Sequence, residues 1–157
     1  MLSFEQMLVR FLIALALGAL IGLERELVGK EAGIRTTMIM SAGAAVFSMI
    51  ALTLPYIVAL SPQNLPDVIA RNSGFLGVIA NIVVGVGFLG AGIILKTGER
   101  VHGLTTAAVV WTAAAIGTLA GIGLIKFAVA SSVIIAGLLY LLRKLGIFEH
   151  VRPDGNM

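Results

Sequence analysis

Apolar residues fall along this chain in long blocks, not in the alternation of a half-buried strand or the narrow stripe of a soluble helix. From Asn72 to Ile125 the only side chains with a formal charge or a titratable ring are Lys96, Glu99, Arg100 and His102, all in one gap. That gap leaves two glycine-rich apolar segments. Each is long enough to cross a hydrocarbon core of about 30 Å, which takes roughly 20 helical residues. Hydropathy predicts five such spans: Met7–Leu23, Thr36–Leu54, Phe75–Leu95, Leu104–Leu124 and Phe127–Leu142. The last has only 16 residues and borrows length from Lys126 and Arg143, whose side chains can snorkel to the interfaces. Leu54–Gly74 carries Pro55, Pro62 and Pro66 and reads as the one long non-helical connection, an external loop. The predicted fold is all-α, a polytopic transmembrane bundle of about five spans.

Charge then orients the bundle. Of the 11 Lys and Arg, one side receives Arg25, Lys30, Arg35, Lys96, Arg100, Arg143, Lys144 and Arg152, and the other Arg10, Arg71 and Lys126. Eight against three places the amino terminus outside and the carboxyl terminus in the cytoplasm. Dropping the fifth span moves three bases across and leaves five against six, a worse fit. The expected organisation is a transmembrane domain over residues 1–145 and a short cytoplasmic tail over 146–157, with Tyr140 and Phe148 in an interfacial aromatic belt. A cleaved signal peptide competes at the amino terminus, but Glu5 spoils its basic region and Ala14-Leu15-Ala16 lies inside the apolar run.

Composition agrees: 59% of residues are hydrophobic and 12% charged, about half the share of a soluble domain. With 157 residues there is room for one bundle and no second domain. The net charge of +3 is scattered between apolar blocks without a basic stripe, which argues against a nucleic-acid partner. The absence of cysteine removes disulfides, thiolate metal sites and thiol nucleophiles.

Gly85-Val86-Gly87-Phe88-Leu89-Gly90 matches G-x-G-x-x-G, but it sits inside a span and Glu99 follows too soon for a ribose ligand. The membrane reading is helix packing through small residues. On a helix Gly74, Gly77, Asn81, Gly85 and Gly92 share one face, and Gly18/Gly22 and Gly117/Gly121 make further small-residue pairs. Asn81 is the one amide well inside a span, either a helix-to-helix hydrogen bond or a group lining a solute path. Thr37, Ser41, Ser48, Thr105, Thr106 and Thr112 are expected to bond their own helix backbone. The Glu24–Arg35 loop balances three acids against three bases and reads as a solvated loop. Alternatively, Glu24, Arg25 and Arg35 pair against the bundle, since they flank the ends of the first two spans. No His/Asp/Glu cluster has metal-ligand spacing, His102 lacks a partner, and no cofactor, metal site or catalytic constellation emerges.

Three stretches carry a family resemblance. They are Leu15–Glu26, then Ala32–Thr36 with Gly43–Phe47, and Gly85–Ile94 with Val101–Ala108, Trp111 and Ala115–Gly117. In order and spacing they resemble the MgtC/SapB family over roughly Leu12–Gly123. The resemblance implies a multi-pass inner-membrane protein of bacteria, linked to growth at low magnesium and acting on a membrane partner such as the ATP synthase more than carrying magnesium. Gly87, Gly90 and Gly92 enter the candidate residues here, with Glu24, Arg25, Arg35, Asn81, Gly85, Thr105 and Thr106. Two departures point to the shorter, SapB-like form. The chain ends about 15 residues after its last span, and Thr105 and Thr112 stand where some members have Asn and Cys.

Two functions follow. One is a non-enzymatic membrane protein that regulates a partner under magnesium limitation, with a homo-oligomer formed through the small-residue faces. The other is a channel or carrier for a small ion or solute, its path lined by Asn81, the threonines and the third span's glycines. Transport would be favoured by an ionisable residue deep in a span, and only Arg10, near an end, comes close.

Overall fold

The computed structural model describes residues 2–59, 61–71 and 74–145. It contains α1 (Phe4–Leu27), α2 (Ile34–Val58), a 3-10 turn (Pro62–Asn64), α3 (Leu65–Arg71) and α4 (Gly74–Ile93). A hairpin of β1 (Leu95–Thr97) and β2 (Arg100–His102) follows, then α5 (Leu104–Ile122) and α6 (Ile125–Lys144). Helices α1, α2, α5 and α6 are each long and apolar enough to cross a membrane. Helix α4 adds the shorter apolar stretch Gly77–Ile93. The expected tail, with Phe148 and Arg152, lies outside the described residues.

Helix α1 starts three residues before its predicted span because Ser3 and Gln6 form a reciprocal capping box, with bonds of 3.1 and 3.2 Å. It also runs past Leu23, so Glu24, Arg25 and Glu26 are helical and not loop residues. Glu26 Oε2 accepts the Ile34 backbone N–H at 3.0 Å, placing a carboxylate at the positive end of α2. The predicted external loop is largely helical, a second correction. Helix α2 continues to Val58 through Pro55, and α3 follows Pro62 at the start of the 3-10 turn. Proline is tolerated in a first turn, where its missing N–H has no helical partner to lose. The charged gap at Lys96–His102 closes as an exposed hairpin pairing Thr97 with Arg100, turned by Gly98 at φ +62°.

The core sits where α1, α2 and α5 meet, and it is built from small side chains. Ala14, Ala45, Ala113 and Ala120 are fully buried, with Ile21 and Ile116 filling the larger gaps. A Cβ added at Gly18 would lie 2.5 Å from the Thr37 carbonyl oxygen, and one at Gly121 would lie 2.6 Å from that of Ala45. Gly22 and Gly117 are equally closed, against Thr37 and the Ser41 backbone. These glycines set the helix separation, since close backbone approach is what joins helices in lipid. The partners also fix direction. Residues 18 and 22 meet 38 and 34, so α1 and α2 are antiparallel, while 117 and 121 meet 41 and 45, so α2 and α5 run the same way. Gly103 lies against Ile93, which makes α4 antiparallel to α5.

The third predicted glycine face does not pack against the described residues. A Cβ on Gly77, Gly85, Gly87 or Gly92 would meet no described residue within 4 Å, and Gly90 makes only ordinary contact with Ala107 at 3.6 Å. The surroundings of Gly74 lie outside the described side chains. Helix α4 leans on α5 by its opposite side and leaves Val84 and Phe88 exposed at 71% and 79%. Large exposed apolar side chains also cover α1, α2 and α6, as a lipid-facing surface requires.

Candidate functional site at one end of the bundle

The last turn of α1, the first turn of α5 and the last turn of α6 converge at one end of the bundle, because α1 and α6 run opposite to α5. There the structure gathers Glu24, Arg25, Thr106 and Arg143. Arg25 Nη2 donates to Thr106 Oγ1 at 3.3 Å. Arg25 Nη1 lies 3.9 Å from Glu24 Oε2, and Arg143 Nη1 lies 4.0 Å from Glu24 Oε1. Both ion pairs are longer than a direct hydrogen bond, which spans about 2.7–3.2 Å. The Glu24 and Arg25 side chains are 9% and 10% exposed and Arg143 is 40% exposed, so the outer guanidinium closes over a buried pair. Tyr140, one turn before Arg143, presents its ring 5.2 Å from that guanidinium.

Two atoms of this cluster, Glu24 Oε2 and Arg25 Nε, are buried without a hydrogen-bond partner among the described residues. Burying a carboxylate is costly unless positive charge lies nearby, and here two guanidiniums lie about 4 Å from Glu24. One carboxylate among two guanidiniums is a poor donor set for magnesium, which takes oxygen ligands in octahedral array. Among the described residues no group of three His, Asp or Glu could hold a metal ion.

The other singled-out residues divide. Glu24 does pair with Arg25 in a desolvated position, as one of the two readings of the loop holds. Arg35 does not join them: it lies exposed on the first turn of α2, and Arg143 of α6 takes its place. Thr106 is buried in the cluster, and neighbouring Thr105 is exposed. Thr37, Ser48 and Thr112 bond carbonyls of their own helix as expected. Ser41 instead reaches across to the Ala14 carbonyl at 2.8 Å, and Ser132 of α6 reaches the Leu17 carbonyl at 3.2 Å. Asn81 is exposed, hydrogen-bonds to none of the described residues, and lines a groove between α2 and α4 with Gly85.

Sequence reasoning missed Arg10, taken only as a charge near a span end. Its Nη1 donates to the Gly121 carbonyl at 2.8 Å, and its guanidinium lies over Gly123, where glycine leaves room. It thereby satisfies one of the orphan carbonyls at the negative end of α5. It missed Arg143 as a partner of Glu24 for the same reason. A base at the end of a span looks identical whether it snorkels or pairs.

Fold and surface together define a multi-pass helical membrane protein whose buried charges lie at one end. The family model for the MgtC family matches residues 11–148, and the chain belongs to that family. It is similar to Protein MgtC of Salmonella typhimurium (strain LT2), 43% identical over 144 residues, covering 92% of this chain and 55% of the relative. It is also similar to Protein MgtC of Brucella abortus (strain 2308), 41% identical over 132 residues, covering 84% and 49%. An uncharacterised Synechocystis protein is 36% identical over 152 residues, covering 97% and 58%. The chain thus spans about half the length of the curated relatives it matches. No solved structure matches it.

Proposed function

We propose that this chain is a non-enzymatic protein of the bacterial inner membrane that supports growth under magnesium limitation by acting on a membrane partner. Its amino terminus faces outward and the Glu24–Arg25–Arg143 cluster faces the cytoplasm, the side to which the basic residues fall. The ATP synthase is the partner that the family resemblance suggests. One observation carries the reading: among the described residues, ionisable groups on helices lie in the outer two turns, and of the buried hydroxyls only that of Thr53, toward the end of α2, lacks a partner. Ser41, Ser48 and Ser132 are fully buried and each donates to a backbone carbonyl. A solute path needs polar groups free to exchange partners, and these are not. The site's excess of positive charge suits contact with an acidic or carbonyl-rich segment better than a divalent cation.

The experiment is ion flux. Liposomes containing only this protein are expected to release magnesium and monovalent ions no faster than protein-free liposomes. Saturable magnesium flux would replace this proposal with a carrier.

A further inference from the structure

We propose that the β1–β2 hairpin is a binding site for the headgroup of an anionic phospholipid. Connectivity puts it at the membrane interface, because it joins the end of α4 to the start of the antiparallel α5. Helix α5 has 19 residues, about 28 Å at 1.5 Å per residue, against a hydrocarbon core of about 30 Å. The hairpin therefore starts at the edge of the hydrocarbon and stands in the headgroup layer. Its residues are ordered as that layer demands. At the base, where Leu95 pairs with His102, Leu95 and Leu104 are apolar and 61% and 57% exposed. The exposed bases come next, Lys96 paired with Val101 and Arg100 with Thr97. Glu99 lies in the turn beyond the last strand pair, farthest from the helices.

This order leaves positive charge unmet just above the hydrocarbon. Among the described residues neither Lys96 nor Arg100 is in an ion pair. A zwitterionic headgroup brings its own ammonium group, whereas phosphatidylglycerol leaves its phosphate charge for the bases. Its acyl chains would run down the exposed face of α5, where Leu104, Ala108, Trp111 and Ala115 follow at helical steps. An acidic segment of a soluble protein would match the bases but leave Leu95, Leu104 and Trp111 without a partner. A phospholipid covers both. This inference rests on the membrane bundle and not on the magnesium reading, so either can fail alone.

Trp111 is the one tryptophan of the chain, half-exposed and about 10 Å along α5 from Leu104, so it reports the lipids beside the hairpin. In liposomes holding the full chain, brominated phosphatidylglycerol is set against brominated phosphatidylcholine. Quenching of Trp111 is expected to show a roughly fivefold preference for the anionic lipid, the effect of one net base at a membrane surface. Lys96→Gln combined with Arg100→Gln should bring the preference near parity. Lys126→Gln, exposed at the opposite end of α5, should keep it. Molar salt should act on the parent as the double substitution does, since it screens charges beyond about 3 Å. The salt arm carries the test if the double variant does not insert. Equal quenching of the parent by both brominated lipids would overturn the proposal. So would a preference that survives the double substitution, or one that persists in molar salt.

Discussion

Arg25, near the end of α1, donates from Nη2 to Thr106 Oγ1 in the first turn of α5, 3.3 Å away and 81 positions along the chain. The same guanidinium lies 3.9 Å from Glu24, so it ties two helices and neutralises a buried carboxylate at once. Removing one partner of a buried pair typically costs about 3 to 5 kcal/mol, because the other charge is left uncompensated. Arg25→Ala should therefore lower the melting temperature and membrane yield sharply. Arg35→Ala, on an exposed side chain, should stay within about 0.5 kcal/mol of the parent. Thermal unfolding of both variants in one detergent checks the contrast.

The glycines separate in sign. Gly117→Ala drives a Cβ into the Ser41 backbone, and overpacking of this kind costs about 1 to 3 kcal/mol. Gly87→Ala meets nothing within 4 Å and gains helix propensity, so it should be neutral or stabilising. A thermal-shift comparison of the two variants that found equal loss would contradict the close contact of α2 with α5.

Arg10→Met should release the end of α5. The lost bond joins a charged donor to the Gly121 carbonyl, and such bonds contribute about 1.5 to 3 kcal/mol. Hydrogen exchange should rise first at the last turn of α5, near Gly121, and remain unchanged at Ala14–Ile21. Uniform loss of protection would show that Arg10 serves global stability instead.

Much of this architecture was legible in the sequence, and what was not has definite causes. The helices follow from hydropathy because an apolar block in lipid has no alternative to helix. Gly18/Gly22 and Gly117/Gly121 were readable as contacts because small residues four apart share a face. The same logic failed for Gly85 and Gly92, since a stripe shows which face is smooth and not whether this chain or another covers it. Helix α3 was hidden by Pro62 and Pro66, which as first-turn residues start helices as readily as they end them. In the site, adjacency revealed Glu24 with Arg25, but Arg143 is paired by tertiary folding alone. Of the two bases expected beside Glu24, the structure brings Arg25, while Arg35 lies exposed on the first turn of α2.

Orientation is open to direct test in the cysteine-free chain. Gln63→Cys, exposed beside α3, should react with an impermeant thiol reagent added to intact cells. Glu99→Cys, exposed in the hairpin turn, should react only after the membrane is opened, and it avoids the positive φ of Gly98. The reverse pattern would invert the bundle.

Growth at limiting magnesium tests the central claim most directly. In a bacterium deleted for its own family member, this chain should restore the growth rate in low magnesium and change nothing in magnesium-replete medium. Glu24→Gln, at matched membrane levels, should restore markedly less, since it removes the charge that Arg25 and Arg143 enclose. Growth no better with the parent chain than with an empty vector, at confirmed membrane insertion, would contradict the account.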